Sequence, residues 1–594
     1  MTSNDSLLGE TRSTSEVVGV ALLVGIVIIG VLVILFAGLS QLGDSQDEIE
    51  ISQAEQALTE FDGEAIRVAT GSTSSQRISL GLQGNSGTLD VEPESGTITV
   101  EYFDALTEKN RTEVLHTSIG TVVYENGQTT VGYQGGGVWR SDGDSSVMVS
   151  PPEISFEGNT LTMPVIETHR GGSVHSDVEI TASGVSEQAF PDRKAEGHNL
   201  TNRVNDGIIE ITIQSRYYQA WARFFEKETT TFVDTIDAEE KVIVTFFGSQ
   251  YNFSPDAGII ATSGPGTLRV EGSGSYIDSY NSFEGTYDEA KSKNGTVKSA
   301  GNIDMFGGSL IEGDAESNNQ ILLDGGSEIT GDACADTVET SGDSTVQGDT
   351  DCESNVPVLP PLDLLVEQKV EELSSPDNDN GATKYIEDER LNLDEAGTPE
   401  LGPGGYYLEE IEFKSGETLI LNATEGDITL VVENYVTLDE GNIEVKGDND
   451  DGTVQVFVAA EESSGETVQG TGGEPADHFY INRDSQITVK NDHSPRFQVI
   501  APRHFTGGIR SSGNVNAQVT GVILAPTRGE GPSQFIVRDS ELFGAVVTGN
   551  LSAENNAEVH FDKATTDLDI PFGSGASLLD YLYVMRHKIE VRGS

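Results

Sequence analysis

Three near-copies of one short phrase constrain this chain more than any other feature. GGSLIEGDA starts at Gly307, GGSEITGDA at Gly325 and GDSTVQGDT at Gly342, so the offsets are 18 and 17 residues. That period is too short for most helical repeats. It suits one circuit of a β-solenoid, in which each circuit stacks ~4.8 Å from the last. The pattern predicts an inward ladder of Leu310 and Ile311, Ile329 and Val346, with the glycines turning the corners. A low-complexity Gly/Asp linker is the competing account, and three matching periods weigh against it. The repeats are assigned to a solenoid over 256–352. Short, evenly spaced β runs resume over 406–572, as expected of further circuits.

The two cysteines sit on this repeat. Cys334 and Cys352 lie one circuit apart within one residue of register, which brings their Cα atoms within the 4.4–6.8 Å of a disulfide. Two unrelated buried thiols is the plainer alternative. A bridge implies an oxidising, extracellular setting. Between the two solenoid stretches, 353–405 reads as an acidic insertion, broken by Pro357, Pro360 and Pro361 and carrying a short helix, LDLLVEQKVEEL. Within it Asn378, Asn380, Gly381 and Glu387 imitate a calcium loop, but Pro376 stands where a carboxylate is required.

At the other end, Val17–Leu42 carries no charge over 26 residues, enough for a helix to cross the ~30 Å hydrocarbon core of a bilayer. It is too long for the apolar core of a signal peptide, and the leader 1–16 has Asp5, Glu10 and Glu16 around a lone Arg12. The expectation is a cytoplasmic leader, a single transmembrane helix over 17–42, and the body outside. Beyond it, over 43–70, Ala54, Leu58, Phe61, Ala65 and Val68 fall at spacings of three and four, the stripe of an amphipathic helix or stalk.

From 75 to 250 the text is β-rich. Ile98, Val100 and Tyr102 share a strand face, as do Val242, Val244 and Phe246. Asn126-Gly127 between Val122 and Val131 is a hairpin signal. One helix interrupts, Ser215 to Glu228, whose aromatic face (Tyr217, Tyr218, Trp221, Phe224, Phe225) is assigned to the core. From Tyr581, within 573–594, YLYVMRHKIEV adds a terminal strand or cap that can return to this first domain.

The segment Arg12-Ser13-Thr14-Ser15-Glu16-Val17-Val18-Gly19 resembles the start of archaeal type IV pilins, where a polar leader is cut and the apolar helix is kept. Carried over, the cut falls between Ser13 and Thr14, with Glu16 near the mature N-terminus. A plain signal anchor is the alternative. The YYQAWARFFE segment is similar to one in haloarchaeal pilin-like surface proteins. The stretch from Gly544-Ala545-Val546-Val547 to His560-Phe561-Asp562 resembles a β-helical module of pilus-associated surface proteins, in which these residues are structural. The resemblance implies a pilin-like α+β domain followed by a right-handed β-helix, mainly β overall, and sister pilin-like subunits as partners through the N-terminal helix.

Lys and Arg number 34 against 98 Asp and Glu, a formal charge of −64. Such self-repulsion opposes compaction except where molar salt shortens the screening length to roughly 3 Å. Recurrent alternation of Val, Ile, Phe and Tyr argues for a folded, acid-coated protein of an extreme halophile over a disordered one. No basic patch exists to neutralise phosphates, which excludes nucleic acid as a partner. His493, His504 and His560 have no zinc spacing, and no nucleophile-elbow, metalloprotease or phosphate-loop motif occurs. Arg496, Arg503 and Arg510 form the one loose basic group, a conceivable contact for anionic surface polysaccharide. No catalytic, cofactor-binding or metal-binding residue is assigned and no cofactor is expected. Asn110, Asn199, Asn252, Asn294, Asn422 and Asn550 each head an N-x-[ST] sequon beyond the apolar run. The expected role is structural or adhesive at the cell surface. A polysaccharide-binding or polysaccharide-cleaving β-helix protein is the alternative.

Overall fold

A computed structural model describes residues 48–593 apart from 83–86, 105–106, 144, 171–173, 175–176, 192–201, 205–206, 249–252, 265, 355, 357–358, 375–377, 393–397, 415, 461–477, 512–516, 528–532, 569 and 571–577. The apolar run Val17–Leu42 and the processing positions Arg12, Ser13, Thr14 and Glu16 lie outside the described residues. Among the described residues no helix is long and apolar enough to cross a membrane. The chain is mainly β.

Helix α1 occupies 48–69. Its predicted stripe, Ala54, Leu58, Phe61, Ala65 and Val68, is fully buried. The stripe runs over 54–68 of the helix, so α1 is part of a domain core and not a free stalk. It packs on Val122, Tyr124, Val131 and Tyr133 of a five-stranded antiparallel sheet, and on Ile589 and Val591 of the last strand of the chain. Asn126-Gly127 makes the hairpin of that sheet, Thr121–Asn126 against Thr129–Gln134, with Gly127 at φ +65°.

A second five-stranded sheet pairs Gly207–Ser215 between Gly96–Asp104 and Lys241–Phe247. Ile98, Val100, Val242, Val244 and Phe246 are buried and Tyr102 is half-buried. Helix α2, Tyr218–Glu228, begins three residues later than predicted because Ser215 still belongs to the strand. Tyr217, Tyr218, Trp221, Phe224 and Phe225 are all buried, with the Trp139 and Trp221 rings 4.3 Å apart.

A third sheet, of six strands, is completed from the far end of the chain. Tyr581–Gly593 lies between Thr160–His169, in parallel, and Asp177–Ala182, antiparallel. Glu167, with no exposure, accepts from Arg586 of that last strand and from Thr117, and bonds His169 Nε2 at 2.8 Å. Burial alone raises a carboxyl; here the bonds from Arg586, Thr117 and His169 outweigh it and hold Glu167 below the usual range.

The remaining described strands, Ile259–Ala261 through Glu558–Asp562, form one continuous stack of 29, parallel except for the antiparallel pair Ile386–Glu387 and Arg390–Leu391. In the repeat region each strand pairs with the strand three further along, so three strands make one rung. Ile303, Ile321 and Val338 stand in register, as do Ile311, Ile329 and Val346. Leu310 departs from the predicted inward ladder. It is half-buried and aligned with Glu328 and Thr345, because successive residues of a strand face opposite sides and Ile311 takes the inside. Gly307, Gly325 and Gly342 turn the corners at φ +72°, +69° and +60°, in the left-handed region.

The rungs are not stacked in sequence order. The first rung, 259–280, pairs with 297–311 on one side and with 546–562 on the other. The chain thus starts mid-stack and builds to one end at Val346. It resumes at the opposite end and winds back to meet its own beginning. The four-residue helix α3 (Tyr287–Ala290) belongs to the first-rung connection, while α4 (Asp363–Leu373), within the interruption, makes the crossing. Its Leu365, Val366 and Leu373 pack on an outward apolar row, Tyr407, Val431, Phe457, Ile500 and Val522. The short helix expected within the acidic insertion 353–405 is α4. The helix has an apolar face buried on the stack, and Ile386–Glu387, Arg390–Leu391 and Glu400–Leu401 already belong to the stack. Asn378 and Asn380 serve the backbone: Asn380 bonds Tyr407 N and O at 3.1 and 2.7 Å. Entry and exit of the stack meet at the Phe253–Ile570 bridge, so the whole stack is inserted into the first domain.

Candidate functional site

A buried polar constellation lies where the first rung meets the last. Parallel pairing aligns Tyr276 with Glu558, Asp278 with His560 and Tyr280 with Asp562. Alternation puts all six on the outer face. The connection 281–296 folds over this face, its helix α3 started by a Thr286/Glu289 capping box. His560 Nδ1 bonds Asp278 Oδ1 at 2.6 Å and its Nε2 lies 3.6 Å from Glu558 Oε2. Tyr276 donates to Glu558 and Tyr287 to Asp278, each at 2.8 Å. The Tyr287 and Phe543 rings cover the imidazole at 4.0 and 4.6 Å between centroids. Burial opposes charge on His560, yet the bonds and charges of Asp278 and Glu558 raise its pKa on balance. The ring is thus set between two carboxylates, one from each rung. At 1 % side-chain exposure it is closed to exchange with a bound substrate.

Beside it, Ser282, His493 and Asp562 have the residue types of a nucleophilic triad in the wrong order. Ser282 Oγ donates to Asp562 Oδ2 at 2.7 Å, so it accepts from His493 Nδ1, also at 2.7 Å. In a working triad the carboxylate orients the histidine and the histidine takes the serine proton. Here Asp562 also accepts from Ser282 N, Ala564 N and Ser494 Oγ at 2.9–3.1 Å, and all three residues are buried. The arrangement fastens 490–496 and 281–283 to the last rung.

The three arginines are used separately. Arg496 is buried beneath Gly447 and donates to the carbonyls of Lys446 and Gly452. Arg503 binds Asp363 at 2.9 Å and Asp234, tying α4 and the first domain to the stack. Arg510 lies over the Tyr480 ring. A cleft of about 420 Å³ between Glu444 and Lys490 carries its cations already paired, Lys446 with Glu400 and Lys490 with Asp448. His504 bonds the Ala460 carbonyl. Among the described residues no group of three or more His, Cys, Asp or Glu is placed to hold a metal.

Cys334 and Cys352 are bonded, with Cα atoms 4.9 Å apart, at the terminal rung. Of the sequons, Asn110 lies in the strand Thr107–Ser118, and Asn294, Asn422 and Asn550 are described in full. Asn199 and Asn252 lie outside the described residues. Asp278, Glu558, Tyr276, Tyr287 and Ser282 belong to no motif in the sequence. A legible sign existed in two strands with polar or aromatic residues at every second place, Tyr276-Asp278-Tyr280 and Glu558-His560-Asp562.

Residues 12–253 match a family of unknown function, DUF7289, and residues 345–568 match a domain of unknown function, DUF7305. No curated protein and no solved structure matches the chain. The first match covers the apolar run and most of the first domain. The second covers the returning half of the stack together with α4.

Proposed function

We propose that this chain is a membrane-tethered surface protein of a halophilic archaeon, structural or adhesive, and built as a minor type IV pilin-like subunit that carries a right-handed β-helix. The observation that carries the reading is the position of α1. It is described from residue 48, six residues past the apolar run, and its stripe is fully buried in the first domain. A segment inserted in a bilayer would thus be joined to the body by a docked helix, the plan of a pilin. The terminal disulfide and the acid-coated surface fit an oxidising, saline exterior. The inverted Ser282–His493–Asp562 order and the closed His560 cluster favour a structural role over a catalytic one.

Two measurements test it. External protease on intact cells should remove the body, and a body protected until lysis refutes the surface reading. The mature N-terminal mass should correspond to a start at Thr14, whereas a start at Met1 or Thr2 refutes pilin processing.

A further inference from the structure

We infer that Asn294 is an acceptor of an N-linked oligosaccharide, singled out by the fold from the sequons whose side chains are described; this rests on the extracellular placement of the body proposed above. Transfer to an asparagine forms a bond from Nδ2 to the anomeric carbon of a lipid-phosphate-linked oligosaccharide. The carbon–oxygen bond to phosphate breaks, the lipid phosphate leaves, and Nδ2 gives up one proton. The acceptor must therefore present an uncommitted amide with open space beyond it.

Asn294 meets both demands. It is exposed, and its side chain makes no hydrogen bond among the described residues. Its backbone is held firmly: its N–H donates to Ser279 Oγ at 3.1 Å and that of Gly295 to the Glu312 carbonyl at 2.7 Å. Gly295 lies so close to the first rung that a Cβ would stand 2.6 Å from Asp278 Cα. The main chain is thus pressed inward where the asparagine side chain is exposed. Thr296 supplies the sequon hydroxyl and its carbonyl accepts from Gly258 at 3.0 Å.

The other two described sequons are committed to the stack. Asn422 Nδ2 donates to Glu400 Oε1 at 2.7 Å and its Oδ1 accepts the hydroxyl of its own sequon threonine, Thr424, at 2.8 Å. Asn550 Oδ1 accepts from Thr267 of the adjoining rung at 3.2 Å, and a Cβ at Gly266 would stand 2.0 Å from it. A sugar on either amide would compete with contacts that hold neighbouring rungs together.

The test uses the full chain recovered from its own cells, with mass spectrometry of proteolytic peptides spanning 282–298, 415–427 and 541–558. A glycan increment is expected on the Asn294 peptide, lost in Asn294→Gln, with unmodified masses at Asn422 and Asn550. Occupancy at Asn550 or Asn422 with Asn294 bare overturns the inference. External protease on the same cells separates the two failures. Bare Asn294 on a body that protease removes overturns the site alone, and bare Asn294 on a body protected until lysis overturns the surface reading with it.

Discussion

Asp62 offers the sharpest test of how α1 is held. It lies on the buried side of that helix at 5 % exposure. Its Oδ2 accepts from Ser150 Oγ at 3.0 Å, while Oδ1 and the nearby Tyr133 hydroxyl have no partner among the described residues. Burial raises its pKa to about 7, with Glu153 adding to the rise and the Ser150 bond opposing it. For an acid raised in the folded state, the unfolded chain ionises first. Stability is then full below pH ~4, falls as pH rises from about 4 to about 7, and is level above. A rise of about three units corresponds to about 4 kcal/mol between those limits. Asp62→Asn keeps the Ser150 bond and stays neutral. It should stabilise the first domain by on the order of 3–4 kcal/mol at pH 8 and by little at pH 4. The assay is built in, because the two tryptophans, Trp139 and Trp221, are both buried in that domain. Their fluorescence during urea unfolding, followed against pH in wild type and variant, reports it directly. Molar salt should leave the difference largely intact, since screening acts on exposed charges far more than on a buried one. An equal gain at pH 4 and pH 8, or no gain at either, would refute the reasoning.

Two further outcomes follow from the same contacts. Cys334→Ser with Cys352→Ser opens a loop of sequence separation 18 on a rung with a neighbour on one side only, removing about 3 kcal/mol. Amide exchange over 333–352 should accelerate while the tryptophan transition stays in place, and an unchanged exchange pattern contradicts the assignment. Arg586→Met strands Glu167 without its nearest cation and should cost on the order of 3 kcal/mol by the tryptophan assay, with most of it recovered in the double variant Glu167→Gln, Arg586→Met. Absence of that recovery would show that the strand is held by packing instead.

What was legible in the chain was local and periodic. The α1 stripe and the 17- and 18-residue repeat place each residue in an environment that recurs a few positions on, so spacing alone assigns a face. The inward ladder wrongly took in Leu310 beside Ile311 because two adjacent apolar residues leave the choice of inside to the register of neighbouring rungs. The seam was illegible for a deeper reason. Asp278 and His560 are 282 positions apart, and an outward polar residue looks the same in sequence whether water or another segment covers it. Tyr276-Asp278-Tyr280 and Glu558-His560-Asp562 complement one another only once the first rung is known to lie beside the last. The terminal strand poses the same problem, since its alternation declares a strand but Glu167, 419 positions from Arg586, decides where it goes. Both bodies therefore take their closing strands from the end of the chain: 541–562 seals the open side of the first rung, and 581–593 fills the gap between 160–169 and 177–182. A stack inserted in a domain whose last strand follows it cannot be apportioned to either body by position along the chain. The pairing of distant polar side chains is what settles it.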